Sequence, residues 1–399
     1  MGMQKDTELE IKKQIQQAKG LLDNGNYFEA SIGISRTILI AQEFLSTDTS
    51  LKERFKQVLF PLLHAEGNTS ENSQVKIIYS GGDSEQIILS PGSQQILSGE
   101  YKLLKIWDLD SEKEGITFTG HASEVSSVAI TPDGEKVLSG SYQVIKIWDI
   151  HTGKELQEIK AHLNEVSCLA VTPDGKKIVS GSWDKTIKIW DIQTGEELQE
   201  LKGHSGAVWS LSLTKDRIIS GSWDKTIKIW DIHNGELLQE LRGHNGAIAS
   251  VAISRDGSKI VSGSWDCTIK VWDMQTSKEV KSLYGHEDKV LSIAITADGS
   301  KVVSGSWDET IKIWDIETGE EYITIEGHSD GVSSVAVTED GNKIISGSYD
   351  QTIEIWDISI KSLVEKLCKQ IDSYQKEGKL QTEEEQQIHE KLKALSATL

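Results

Sequence analysis

A mainly β chain folded as a closed ring of seven small antiparallel sheets, with helices at both ends, is the fold class that three observations predict. The first is a Trp-Asp pair that recurs at Trp107, Trp148, Trp190, Trp230, Trp272, Trp314 and Trp356, in steps of 41, 42, 40, 42, 42 and 42 residues. A repeat of this length is one supersecondary unit whose apolar faces must be covered by its neighbours, and seven in a row imply closure. The second is composition: 34 glycines and only 4 prolines in 399 residues suit many short strands joined by tight turns and argue against disorder. The third is a change of period at both ends, from short apolar runs to helical spacing.

Taken in order, residues 6–23 carry Ile11, Ile15, Ala18 and Leu22 at helical spacing, and Asn24-Gly25-Asn26 breaks the run. Further helices are expected near residues 27–45 and 51–64. The run Ala18, Leu21, Gly25, Tyr27 and Glu29-Ala30 resembles one tetratricopeptide repeat. A single such repeat makes no peptide groove, because arrays need several. A helical N-terminal region is therefore placed at 1–70.

The repeat is clearest over residues 203–243. Gly203-His204 precedes AVWSLSL, RIISGS, TIKIWDI and LLQELR, four short runs bounded by Gly, Asp or Asn, which read as strands a to d. In strand a, Trp209, Leu211 and Leu213 are expected on one face, and Val208, Ser210 and Ser212 on the other. If Ser220 pairs with Trp230, the b–c hairpin centres on residue 225, with a loop of Asp224-Lys225-Thr226 and one left-handed residue. That geometry lets His204, Asp224, Ser220 and Trp230 form a buried network in which each polar group has a partner.

This pattern resembles the WD-repeat β-propeller family, and the resemblance runs from about residue 74 to 357. It implies a seven-bladed β-propeller with α-helical N- and C-terminal extensions. In that family the His–Asp–Ser–Trp network holds each blade rigid. Carried over, it is complete at His162/Asp184/Ser180/Trp190 and His204/Asp224/Ser220/Trp230. It is complete again at His244/Asp266/Ser262/Trp272, His286/Asp308/Ser304/Trp314 and His328/Asp350/Ser346/Trp356. The second blade has His121, Ser139 and Trp148, but its turn is one residue short and lacks the Asp. The first keeps Ser98 and Trp107, with Ser80 or Gly81 where His belongs and Glu100-Tyr101-Lys102 in the turn.

Strand d of the last blade is missing after Asp357. The stretch Gln74–Ser80 is an orphan strand d, expected to complete that blade and close a propeller spanning 74–358. Beyond it, Leu363, Leu367, Ile371 and Tyr374 mark one helix. Thr382 with Glu385 reads as the capping box of a second helix, making a helical hairpin over 359–399. The two helical ends are expected to pack on each other, with self-association or partner docking as the alternative.

Charge and chemistry exclude several functions. Net charge is −20, of which 74–357 carries −18. A basic stripe for nucleic acid is therefore not expected. The N-terminus has no apolar core of a signal peptide, and no run suits a membrane span. Cys168, Cys267 and Cys368 lie far apart, which favours a reducing, cytoplasmic compartment. No phosphate loop, nucleophile elbow or metal-ligand spacing is found, so no cofactor, no metal and no enzyme activity are expected.

One position stands out as a candidate binding surface. The residue before the loop Asp is Trp183, Trp223, Trp265 or Trp307 in four consecutive blades and Tyr349 in the next, with Tyr142 and Tyr101 nearest in the shortened turns. The resemblance puts this position on the top face around the central channel, beside Trp209. Such a rim suits a polypeptide partner. Either internal duplication or blade packing would also explain it, since residues 180–204 and 220–244 differ at only four of 25 positions. The expected function is a protein-interaction scaffold; the alternative is a sensor of small ligands, glycans or methylated amines using the same rim.

Overall fold

The computed structural model of the chain describes residues 5–24, 26–41, 53–59, 75–79, 84–92, 94–109, 111, 113–377, 379 and 382–397. It divides into two compact units, one spanning Lys76–Ile355 and the other combining Met1–Val75 with Trp356–Leu399.

The larger unit is a seven-bladed β-propeller. In the fourth blade, strands a (Val208–Leu213), b (Arg217–Ser222), c (Thr226–Asp231) and d (Leu237–Arg242) lie side by side, each antiparallel to the next. The a strands touch in a complete circuit. It runs from Ser84–Leu89 through Ser127–Ile130, Cys168–Val171, Val208–Leu213, Ile248–Ile253, Val290–Ile295 and Val332–Val337 back to Ser84–Leu89. Serine hydroxyls stitch it together. The Val251 N–H donates to Ser210 Oγ at 3.0 Å, that of Ile293 to Ser250 at 3.1 Å, and that of Ile87 to Ser334 at 3.0 Å across the closure. The last sheet takes Val75–Tyr79 as its fourth strand, beside Thr352–Asp357. Gln74 and Ser80 lie outside the described residues.

The core sits between blades. Val179, Ile187, Ile189 and Leu201 of the third blade meet Val208, Ile218 and Trp230 of the fourth. At the closure, Ile345, Ile353 and Ile355 meet Ile87, Ile96 and Trp107. Sheets covered on both faces need no strict alternation of apolar and polar residues, which is why the strands read as near-continuous apolar runs.

Two local expectations are corrected. Ser220 pairs with Lys228, and Trp230 with Ile218, so the hairpin centres on Asp224. The indole is long enough to reach diagonally to Ser220 Oγ, at 2.9 Å, so that bond needs no direct pairing. The turn is Trp223-Asp224-Lys225, with Lys225 left-handed at φ 67°, and Thr226 already opens strand c. In strand a, the register shifts between Val208 and Ser210. This bulge puts Val208 in the same core as Leu211 and Leu213 and sets Trp209 apart from them. The second sheet shows a further local difference. Its short turn leaves b and c continuous as Lys136–Asp149, with Gln143 left-handed at φ 65°.

The smaller unit holds helices α1 (Lys5–Asp23), α2 (Tyr27–Ala41), α3 (53–59), α4 (Ile360–Lys376) and α5 (Glu383–Ser396). Within it the N- and C-terminal helices pack on each other. Phe28 meets Tyr374 edge-on at 5.2 Å, and α2 touches both α4 and α5. Thr382 and Glu385 form the capping box of α5. Gly25 and residues 42–45, 51–52 and 60–64 of the expected helical region lie outside the described residues. No described helix is long and apolar enough to cross a membrane.

Candidate functional site

Each regular blade is locked by one carboxylate. Asp224 Oδ2 accepts from His204 Nδ1 at 2.8 Å and from the Ser205 N–H at 2.9 Å. Its Oδ1 accepts from the Thr226 N–H at 3.0 Å and hydroxyl at 2.6 Å. With its proton on Nδ1, His204 accepts at Nε2 from the Ser220 hydroxyl, at 2.7 Å. Ser220 Oγ in turn accepts the Trp230 indole N–H. The chain of donors has no loose end, as buried polar groups require.

The same links join His162, Asp184, Ser180 and Trp190, with His162–Asp184 at 2.9 Å. They join His244, Asp266, Ser262 and Trp272, with His244–Asp266 at 2.9 Å. They also join His286, Asp308, Ser304 and Trp314, with His286–Asp308 at 2.8 Å. His328 bonds Asp350 at 2.9 Å and Ser346 at 2.7 Å, and Trp356 is buried. Burial pushes these loop carboxyls up. The His, Thr and backbone donors outweigh it and hold Asp184, Asp224, Asp266 and Asp308 well below the usual carboxylate range.

The irregular blades differ where their turns are short. His121 bonds Ser139 at 2.6 Å, and Trp148 bonds Ser139 at 2.8 Å. His121 Nδ1 is buried and has no partner among the described residues. Burial pushes this imidazole down to about 4, with Lys146 adding to the effect. In the first blade Trp107 bonds Ser98 at 3.0 Å. Ser80 and Gly81, at the expected histidine position, lie outside the described residues.

The Trp-Asp aspartates have a separate task that spacing alone left unassigned. Asp191 Oδ1 accepts from the Gln193 N–H at 2.9 Å and the Thr194 N–H at 2.8 Å, closing the c–d turn. Gly195 follows at φ 74°, a conformation that favours glycine. Strand-c lysines were also unassigned. Lys188 bonds Glu197 of strand d at 2.8 Å, and Lys312 bonds Glu321 at 2.9 Å.

The rim aromatics are held by main chain. The N–H of Trp183 donates to the Glu165 carbonyl at 3.1 Å, that of Trp223 to Ala207 at 2.9 Å, and that of Trp265 to Ala247 at 2.9 Å. Trp307 and Tyr349 donate likewise to Lys289 and Gly331. These bonds make no demand on the side chain, so aromatic identity is not needed to build the turn. Gly206 permits the approach: a Cβ there would lie 2.7 Å from the Asp224 nitrogen.

The indoles converge into a patch. Trp209 lies near-parallel to Trp223 at 5.3 Å and to Trp183 at 5.6 Å, and Trp183 and Trp223 are 6.2 Å apart. Three comparable separations describe a compact triangle rather than a linear pile. Trp265 meets Trp223 edge-on at 5.5 Å. Trp307 meets Tyr349 at 5.0 Å, and Lys289 Nζ lies over both Trp265 and Trp307, at 4.8 and 5.6 Å. Trp183 and Trp223 remain 42% and 44% exposed. Tyr101 and Tyr142 are exposed and join no ring–ring contact among the described residues, so the observed contacts form an arc rather than a closed rim. Trp209 owes its place in the arc to the strand-a bulge.

Repeated blades, a shared network and a closed circuit of a strands define the class: a repeat propeller. The family model described as WD domain, G-beta repeat matches residues 112–149, 153–191, 195–231, 235–273, 277–315 and 319–357, more than half of the chain. The chain belongs to this family. Each matched segment contains strand d of one blade, wholly or in large part, and strands a to c of the next, so the sequence repeat interlocks neighbouring blades. Propellers of this family are generally protein-interaction scaffolds and typically non-enzymatic. No curated protein matches the chain.

Proposed function

We propose that this chain is a non-enzymatic scaffold that presents the aromatic arc of Trp183, Trp209, Trp223, Trp265, Trp307 and Tyr349 to a polypeptide partner. The observation that carries the reading is the exposure of Trp183 and Trp223 on turns where each tryptophan's main-chain N–H is already bonded to the neighbouring segment. Large aromatics in such a place are expensive to leave in water and are typical interface anchors. Trp183, Trp223 and Trp307 are each exposed, which suits a broad protein contact better than an enclosed small ligand. We assign residues 1–70 and 359–399 to helical docking or self-association, and 74–358 to the propeller. The unpaired Cys168, Cys267 and Cys368 fit a reducing compartment, and we place the protein in the cytoplasm.

Affinity capture from extract of the source cell, with intact chain and a Trp183→Ala/Trp223→Ala variant side by side, followed by reconstitution with the purified captured protein, tests the reading. A partner retained by the intact chain and lost by the folded variant is expected. A partner retained equally by both would overturn the rim assignment and move attention to the helical ends.

A further inference from the structure

Resting on the rim reading, we infer that the occupant is a basic segment of polypeptide. An arginine guanidinium would lie on the indole patch of Trp183 and Trp223 and pair with the carboxylates of Glu165 and Glu124.

Charge favours a cation along the arc. The described connections entering strand a carry Glu124, Glu287, Asp288 and Asp330 against a single base, Lys289, and Glu165 ends the strand before one of them. Glu165 is half-buried, and its backbone carbonyl holds the Trp183 N–H, so it adjoins the aromatic patch directly. Its carboxylate accepts from the Ser126 hydroxyl at 2.7 Å. No cation of the chain is paired with it among the described residues. Burial pushes its carboxyl up, and the neighbouring Glu124 charge adds to the push, while Ser126 opposes it. The Ser126 hydroxyl ties Glu165 to the segment that carries Glu124, and a half-buried carboxylate with no cation of its own is stabilised by an arriving one.

The chain itself shows that these indole faces accept cations, because Lys289 lies over Trp265 and Trp307. Trp183 and Trp223 have no such cation among the described residues. Their rings are near-parallel, with an interplanar angle of 24°. That favours a planar guanidinium, which stacks and still projects N–H groups sideways toward a carboxylate. Exposed Lys185 and Lys225 follow the two tryptophans in their turns and oppose a cation there. Asp184 and Asp224, charged in the same turns, offset them. The approach is therefore directed to the Glu124–Glu165 side.

The probe is a random dodecapeptide library selected on the immobilised full chain. Recovered peptides should be rich in arginine and poor in aspartate and glutamate. Replacing their arginine by neutral citrulline should weaken binding about tenfold, and Glu165→Gln should weaken the arginine peptides to a similar degree. Binding should also fall as salt is raised. Neutral or acidic peptides that are lost on Trp183→Ala or Trp223→Ala would overturn the basic occupant and leave the rim reading standing. Peptides unaffected by either tryptophan change, or no enrichment at all, would overturn both. Melting temperatures of each variant show that any loss is not a loss of fold.

Discussion

Asp224 has four donors converging on it, and removing it strands more than one of them. Asp224→Ala leaves His204 Nδ1 buried without its acceptor and should cost about 1–3 kcal/mol. Gln143 occupies the corresponding turn of the second blade, and its side-chain amide donates to the Leu163 carbonyl at 2.9 Å. Gln143→Ala should cost less than about 1 kcal/mol. Denaturant midpoints compare the two, and equal losses would contradict the network's role. His121 adds a pH dependence of definite sign. Its folded value is pushed down to about 4, from an ordinary 6.5. Its stabilisation is therefore complete above about pH 6.5 and is lost as pH falls toward 4, by about 3 kcal/mol in all. His121→Gln should flatten that part of the stability–pH curve. An unchanged slope between pH 6.5 and 4 would show that His121 is not held neutral.

Much of this chemistry was legible in the residues themselves. His, Asp, Ser and Trp recur together, and the missing Asp of the second blade was visible as a short turn. Which residues pair was less legible, because an indole reaches diagonally and its hydrogen bond does not report the register. The bulge at Trp209 was hidden for a related reason. In a sheet buried on both faces, alternation carries too little signal to mark one extra residue.

Closure is the decisive event for the blades as elements. Ile353 and Ile187 occupy the same strand-c position, both fully buried, one at the closure and one within the ring. Ile→Ala at either should cost about 2–5 kcal/mol. Comparable thermal or chemical destabilisation is expected, whereas a much smaller loss at Ile353 would mean a loosely closed ring. One element departs from the repeat in a way its sequence showed but its spacing did not explain. Glu354 stands where other blades have Lys188, Lys228, Lys270 and Lys312. It is buried 3.5 Å from His328 Nε2, and burial pushes its carboxyl up to about 7. The helical ends follow ordinary rules: Ser359 and the Thr382–Glu385 box cap α4 and α5.

Across the whole molecule, the seven-fold repeat makes the propeller legible in the sequence, because a unit of about 40 residues repeated this regularly needs neighbours to cover its apolar faces. The candidate surface was readable only in part. Recurring tryptophans at one turn position were visible. That Trp183, Trp209 and Trp223 collapse into one triangular patch, while Tyr101 and Tyr142 stay outside it, depends on contacts between blades that no single repeat encodes. The central question is whether this patch serves binding or packing. Melting temperature and affinity for the captured partner, measured together on Trp183→Ala, Trp223→Ala, Trp265→Ala and Trp307→Ala, decide it. The rim reading predicts binding weakened by about 1–3 kcal/mol per anchor, with melting temperatures close to that of the intact chain. Lowered melting temperatures with unchanged affinity would contradict it.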